Sequence, residues 1–146
     1  TDTRFQTAKD FCESLTAVSG REAVHTIVDA EPLGPRVCLD MLIISPCTGN
    51  TLAKIASGIT DTAVTMAAKA HLRADRTLVI ALASNDALSA NLKNIATLLE
   101  RKNVFFVPMF QDDPVGKPHS LVADFSRLID TCAFAKNKKQ IQKIFI

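Results

Sequence analysis

The chain has 146 residues, of which 47% are hydrophobic and 22% charged, and its formal net charge is +2 at pH 7. This profile is typical of one globular domain with a substantial core, and it excludes a disordered chain. No apolar run is long enough to span a bilayer and no leader pattern opens the sequence, so we expect a cytoplasmic protein that binds no membrane. The small net charge gives no reason to expect nucleic acid as a partner.

The early part of the chain is predicted to be helical. Helices are expected at about residues 7–15 and 21–28 because apolar residues recur there at helical spacing, and a loop rich in proline and glycine follows. Residues 37–45 are then almost continuously apolar, which is typical of a strand covered on both faces. Two further helices are expected at 50–57 and 61–72, separated by Gly58 as a stop signal.

The later part alternates between strands and helices. Strands are predicted at 77–83 and 104–107, with a long helix at 87–101 between them. A loop at 109–120 precedes a helix that begins near Leu121 and carries apolar residues as far as Cys132. The basic amphipathic end, 137–146, is compatible both with docking on another subunit and with packing on its own chain.

This order predicts an α/β fold, a three-layer parallel sheet with helices on both faces and right-handed crossovers. Only three strands are clear, which is few for a sheet buried on both sides. We therefore expect residues 1–146 to form a single domain that lacks its first strand or strands, together with the turn after the first strand.

A polar turn, residues 45–51, connects the first apolar strand to the helix after it. Pro46 removes a backbone donor, and Gly49 permits a close approach or a left-handed conformation. Thr48, Asn50 and Thr51 supply short polar side chains, any of which can cap the helix. Capping alone and ligand binding both explain this first turn.

A second turn of the same kind, Ser84-Asn85-Asp86-Ala87, ends the next strand. Ligands of open parallel sheets bind in the crevice at the carboxyl ends of the strands, where we expect the two turns to lie side by side. Amides and hydroxyls at helix N-termini suit a phosphate and a planar ring with polar edges. Flavin fits this description.

Other candidate sites have simpler explanations. Cys47 in the first turn is better explained as a buried thiol than as a nucleophile. Asp112 and Asp113 have the chemistry of an acid/base pair or a magnesium site, but acidic residues before a proline are typical of a solvated turn. Lys117 and His119 are candidate carboxylate ligands. The cysteines and histidines form no pair at metal-ligand spacing, which argues against zinc and a disulfide framework: Cys12, Cys38, Cys47, Cys132, His25, His71 and His119.

The first turn and its continuation, residues 46–61, resemble the proline–x–serine/threonine–small–asparagine–threonine segment of a superfamily of homo-oligomeric flavoproteins. The superfamily includes phosphopantothenoylcysteine decarboxylase and the flavin prenyltransferases. The second turn falls where those decarboxylases carry an alanine–methionine–asparagine turn. The resemblance implies a flavodoxin-like or Rossmann-like fold in which both turns contact the flavin ring and the substrate beside it.

Within this superfamily the chain resembles the B subunits of dipicolinate synthase over nearly its whole length. The matching segments are 3–5, 30–35, 48–50, 66–70, 84–88, 111–114 and 117–118. The resemblance implies an FMN-dependent oxidoreductase that converts dihydrodipicolinate to dipicolinic acid in the mother cell of sporulating bacteria. It also implies an A subunit that binds NAD or NADP, and a homo-oligomer built of trimers.

Three departures separate the chain from its relatives. Residues 109–120 contain no cysteine, which argues against cysteine decarboxylation. Ser84 and Asn85 replace the arginine–glutamate pair of the prenyltransferases, which argues against prenyl transfer. The family's first strand and its glycine–serine/threonine turn, which take the flavin phosphate, would precede Thr1.

The resemblance also assigns a candidate site. The residues expected to bind flavin are Pro46, Thr48, Gly49, Asn50, Ser84 and Asn85. Because dipicolinate is a flat dicarboxylate, a cation should pair with it, and Arg4 and Lys117 are the candidates. No residue is assigned as catalytic acid or base. The alternatives are a non-catalytic subunit that shapes the nicotinamide-binding subunit, which apolar tail residues such as Ile141, Ile144 and Phe145 would suit, or another flavoprotein such as a prenyltransferase.

Overall fold

The structure is a computed structural model that describes residues 7–34 and 36–146. Its elements, in chain order, are α1 (Ala8–Ser19), α2 (Ile27–Ala30), β1 (Met41–Thr48), α3 (Gly49–Ser57), α4 (Ala63–Leu72), β2 (Thr77–Ser84), α5 (Leu92–Leu99), β3 (Val104–Phe106), β4 (Met109–Phe110), β5 (Leu121–Ala123), a short 3-10 helix (Phe125–Arg127) and α6 (Leu128–Lys136). No helix of the described part is long and apolar enough to cross a membrane.

β2 is the central strand of the sheet. It pairs in parallel with β1 from Met41 opposite Thr77 to Thr48 opposite Ala83, with a register shift between Ile44 and Cys47. It also pairs in parallel with β3, while its last residues pair with β5 in the antiparallel direction. β4 and β5 are antiparallel as well, so the sheet is mixed. The predicted α/β class is confirmed, but the expectation of a purely parallel sheet is corrected.

The chain reverses at residues 111–120, and this reversal makes β4 and β5 antiparallel. The helix predicted from Leu121 is therefore wrong at its start. Leu121 and Ala123 are buried and Val122 is half-buried between them, which is the alternation of a strand. The helical geometry begins after Asp124, whose carboxylate caps the 3-10 helix by accepting from the N–H of Ser126.

The core lies on both faces of β2. Leu78, Ile80 and Leu82 pack on one face against α3, α4 and α5, while Val79 and Ala81 face a smaller cluster that includes Ala135 of α6. These five strand residues are fully buried. The predicted arrangement of helices on both faces of a continuously apolar strand is confirmed.

The tail packs on its own chain. The N–H of Met109 donates to the carbonyl of Ile144 at 2.8 Å, and the N–H of Ile146 donates to the carbonyl of Met109 at 3.0 Å. Ile141 is only 3% exposed. The side chain of Gln140 bonds to both backbone groups of Phe106, at 2.8 and 2.7 Å. Of the two alternatives for the tail, the structure selects packing on its own chain.

Candidate functional site

The first turn joins β1 to α3 without an intervening loop. The Ser45–Pro46 peptide is cis, and the pairing of β1 with β2 is irregular between Ile44 and Cys47. Thr48 then caps α3, because its Oγ1 accepts from the N–H of Thr51 at 3.3 Å. Among the three predicted cap residues, Thr48 therefore has this role.

Gly49 lies directly against the second turn. A Cβ atom built at this position would lie 2.7 Å from Nδ2 of Asn91 and 2.9 Å from Oδ1 of Asp86, and closer still to the hydroxyl of Ser84. Glycine is required here because the two turns approach too closely to leave room for a side chain. Backbone conformation is not the reason, since the φ angle of Gly49 is not in the left-handed region. The predicted adjacency of the two turns is confirmed.

A hydrogen-bond network holds the second turn in place. Ser84 donates its hydroxyl to Asp86, and Nδ2 of Asn91 donates to both carboxylate oxygens of Asp86 at 2.9 and 3.0 Å. Asn94 in turn donates to Oδ1 of Asn91 at 2.8 Å. The hydroxyl of Ser84, followed by the amide of Asn91, lowers the pKa of Asp86 against a smaller desolvation effect. Asp86 is therefore a carboxylate at neutral pH, where it accepts hydrogen bonds and does not serve as an acid.

The six predicted flavin residues divide into two groups. Pro46, Thr48, Asn50 and Asn85 are exposed around the junction of the turns. Gly49 is buried, and the half-buried Ser84 has its hydroxyl engaged with Asp86, so these two residues lie in the joint between the turns. The exposed group offers hydroxyl and amide donors and acceptors at the N-terminus of a nine-residue helix.

An apolar pocket of about 290 Å³ opens beside the first turn. Ser45 supplies its polar side chain, and Pro46, Ile43, Val64 and Ala67 are among its apolar walls. An apolar wall beside a rim of amides and hydroxyls suits a flat heterocycle whose faces are apolar and whose edges form hydrogen bonds. The residues present therefore fit the ring of a flavin.

The loop at 111–120 is attached to the second turn. The N–H of Leu88 donates to the carbonyl of His119 at 2.9 Å, and Ser84 pairs with Leu121 in the sheet. Within the loop, Asp112 accepts from the hydroxyl of Ser120 at 2.7 Å and lies 3.3 Å from the ammonium of Lys117. The loop is thus positioned beside the candidate site.

The acidic residues of this loop are structural. The hydroxyl of Ser120 and then the ammonium of Lys117 lower the pKa of Asp112, while Asp113 accepts from the N–H of Gly116 at 2.8 Å. Within residues 7–34 and 36–146 no cluster of three or more metal-ligating side chains exists. The hydrogen bonds that Asp112 and Asp113 accept within the loop agree with their explanation as parts of a solvated turn.

The structure treats the remaining candidate residues, a cysteine and two cations, in different ways. Cys47 is fully buried, and burial raises the pKa of its thiol to about 12, so it is the buried thiol expected and not a nucleophile. Lys117 is exposed and paired with Asp112. Arg4 lies outside the described residues.

Sequence reasoning missed Asn91. The residue is only 5% exposed, yet it connects Asp86 to α5. Helical spacing predicted a helix over 87–101, whereas residues 86–91 form turns in which the N–H groups of Ser89 and Asn91 donate to the carbonyl of Asp86. The sequence does contain an indication of these turns, because Ser, Asn and Asp in the second turn are residues typical of turns.

The chain is similar to known proteins in both sequence and fold. The chain is 42% identical to the B subunit of dipicolinate synthase of Bacillus subtilis (strain 168), over all of this chain and 73% of that protein. The crystal structure of the dipicolinate synthase B subunit from Bacillus halodurans C superposes with a TM-score of 0.91 at 39% identity, covering 100% of this chain and 75% of the other. The FMN-dependent cysteine decarboxylase SpaF superposes with a TM-score of 0.62 at 27% identity, covering 86% of this chain and 71% of the other.

These solved neighbours share the flavodoxin-like arrangement of a central sheet between helices. A sequence model of the family described as Flavoprotein matches residues 5–134, which include both turns and the loop at 111–120. The chain belongs to the Flavoprotein family and, within it, to the dipicolinate synthase B subunits.

Proposed function

We propose that this chain is a flavin-binding component of dipicolinate synthase that oxidises dihydrodipicolinate to dipicolinic acid with FMN, in the mother-cell cytoplasm of a sporulating bacterium. The observation that supports this most is the close contact of Gly49 with Ser84, Asp86 and Asn91. It joins two polar turns at the carboxyl edge of β1 and β2, the position where α/β sheets bind their ligands. The FMN dependence of the SpaF neighbour supports the choice of cofactor.

The exposed residues of the two turns would hold the flavin ring. Thr48, Asn50 and Asn85 offer hydrogen bonds to the polar edge of the ring, and Pro46 offers an apolar wall. The positive end of the α3 dipole would stabilise negative charge on the flavin ring. FMN, when bound, supplies an acceptor for the two hydrogens that the dihydropyridine loses as it becomes aromatic.

The substrate carries two carboxylates and needs cationic partners. Lys117 is exposed on a loop that is bonded to the second turn through Leu88 and His119. Its ammonium has three donors, and the side chain of Asp112 accepts from one of them. We therefore assign one substrate carboxylate to Lys117, and we retain Arg4 as the predicted partner of the other.

A partner protein is inferred from the name of a relative. The Bacillus subtilis relative is named as the B subunit of its synthase, which implies at least one further subunit. We propose that this is an A subunit that binds NAD or NADP, and that the present chain assembles as a trimer or a multiple of trimers. Both statements rest on the resemblance.

An absorption spectrum tests the proposal. The protein purified from cells should show flavin bands, and these should bleach when dihydrodipicolinate is added in the absence of oxygen. A colourless protein that still activates its A subunit would contradict the flavin mechanism. It would also restore the alternative of a non-catalytic subunit, although the buried Ile141 no longer supports that alternative.

A further inference from the structure

A basic groove lies at the edge of the sheet opposite the candidate flavin site. It consists of two adjoining depressions, of about 780 and 230 Å³, that share Arg101. The cations that line it are Lys69, Arg73, Arg101, Lys102 and Lys138, and Asp75 is the one carboxylate among the described lining residues. The groove follows α3, α4, α5 and α6 where these helices end, beside the first residues of β2 and β3.

The charges of the groove are poorly compensated. Lys69, Arg73, Arg101 and Lys102 make no side-chain hydrogen bond or ion pair with any residue that the structure describes. The ammonium of Lys138 donates to the neutral hydroxyl of Thr77 at 2.8 Å, which leaves its charge unpaired. Each helix C-terminus carries about half a negative charge, so the ends of α3, α4, α5 and α6 together with Asp75 balance only about three of the five positive charges.

The groove is not shaped for a small molecule. All five cations are exposed, and both depressions are open to solvent. Small-molecule sites bury most of their ligand and place a few polar groups at an enclosed, mainly apolar wall. An open row of exposed cations instead suits a macromolecular partner with negative charge.

The chemistry of the lining favours a protein over a single-stranded nucleic acid. No aromatic side chain lines the described groove, although single-stranded nucleic acids are bound largely by stacking on aromatic residues. Ile59 lies at one end of the groove and is 48% exposed. An apolar residue bordered by charges is the usual composition of a protein interface.

We propose that the basic groove is a docking surface for an acidic segment of a partner protein, with Ile59 as the contact for an apolar side chain within that segment. This surface is distinct from the candidate flavin site and does not depend on the proposed function.

Fluorescence anisotropy with two labelled peptides tests the proposal. One peptide consists of glutamates around a central leucine, and in the other the leucine is replaced by serine. The protein should bind the leucine peptide more tightly. The double variant Arg101→Glu/Lys102→Glu should weaken binding about tenfold or more, since several ion pairs are replaced by repulsion.

The matched control is Arg21→Glu/Lys93→Glu, which changes the net charge equally at exposed positions outside the groove. It should leave binding nearly unchanged at physiological salt, where distant charges are screened. Ile59→Ser should remove the preference for leucine without changing the charge. Equal weakening by the two double variants, or no preference for leucine, would contradict the proposal. Binding of inorganic tripolyphosphate without binding of either peptide would show that the groove is a site for small anions. This result would also overturn the proposal.

Discussion

Asn91 donates its side-chain amide to both carboxylate oxygens of Asp86, at 2.9 and 3.0 Å, and this pair holds the second turn against Gly49. The contact positions the second turn against the first. A buried amide bonded to a carboxylate is a stronger interaction than a neutral pair. The geometry of the candidate site therefore depends on residues that do not themselves face a ligand.

Gly49→Ala should destabilise the protein and disturb the site. A Cβ atom would overlap Ser84, Asp86 and Asn91, and overpacking of this kind costs about 1–3 kcal/mol. Urea unfolding measures the loss. Gly58→Ala is the control, because a Cβ atom there meets nothing within 4 Å and only the left-handed φ of 74° is penalised. The control should keep normal FMN affinity, and an unchanged affinity in Gly49→Ala would show that the contact is irrelevant to the site.

The acid stability of the protein should depend on Asp86. Hydrogen bonds from Ser84 and Asn91 lower the pKa of its carboxyl in the folded state. The stabilisation is therefore present above the unfolded pKa of about 3.9, and it is lost as the pH falls through the lower folded value. Asp86→Asn should flatten this part of the curve of unfolding free energy against pH. An unchanged slope below about pH 4 would show that other carboxylates cause the loss of stability in acid.

Asn85→Ala should weaken FMN binding with little effect on stability. Asn85 is exposed at the end of β2, and the loss of one hydrogen bond corresponds to about a threefold to tenfold increase in Kd. Quenching of FMN fluorescence measures this change. Asn137→Ala, at the far end of α6, is the matched control and should leave the Kd unaltered. Equal affinity in both variants and the wild type would make the assignment of Asn85 wrong.

Lys117→Gln should raise the KM for dihydrodipicolinate more than it lowers kcat. A charge-assisted hydrogen bond to a substrate carboxylate is worth about 1.5–3 kcal/mol, which corresponds to roughly a tenfold or larger change. Steady-state kinetics with the A subunit present measures the effect. Lys93→Gln, an exposed lysine on α5, is the control. A purely structural role of Lys117 would instead appear as lower stability with an unchanged KM.

Gln140→Ala should destabilise the fold by about 1–3 kcal/mol, because it leaves the N–H and carbonyl of the buried Phe106 without their partner. Thermal unfolding measures the change. Gln142→Ala removes a similar side chain from an exposed position and should remain within about 0.5 kcal/mol of the wild type. Equal stability of the two variants would show that the tail does not need this bond.

Local sequence was sufficient for the central part of the fold. The run from Leu78 to Leu82 is apolar without alternation, which is typical of a strand covered on both faces. Gly58 marks the end of α3 by a capping preference that acts within a few residues, whereas the sequence left the cap at the start of α3 open among Thr48, Asn50 and Thr51. The adjacency of the two turns then followed from the parallel pairing of β1 and β2.

Tertiary contacts decided the rest. Val122 lies in a strand because the reversal at residues 111–120 returns the chain antiparallel to the end of β2, and helical spacing at this position carried no information about that partner. The tail pairs with Met109 across more than thirty residues of intervening chain. Asn91 can donate its side-chain amide to Asp86 only because residues 86–91 form turns before α5 begins. The sequence by itself determined the α/β class and the two polar turns, since propensity and periodicity are local, whereas the mixed sheet, the docked tail and the joint at Gly49 depend on contacts between distant segments.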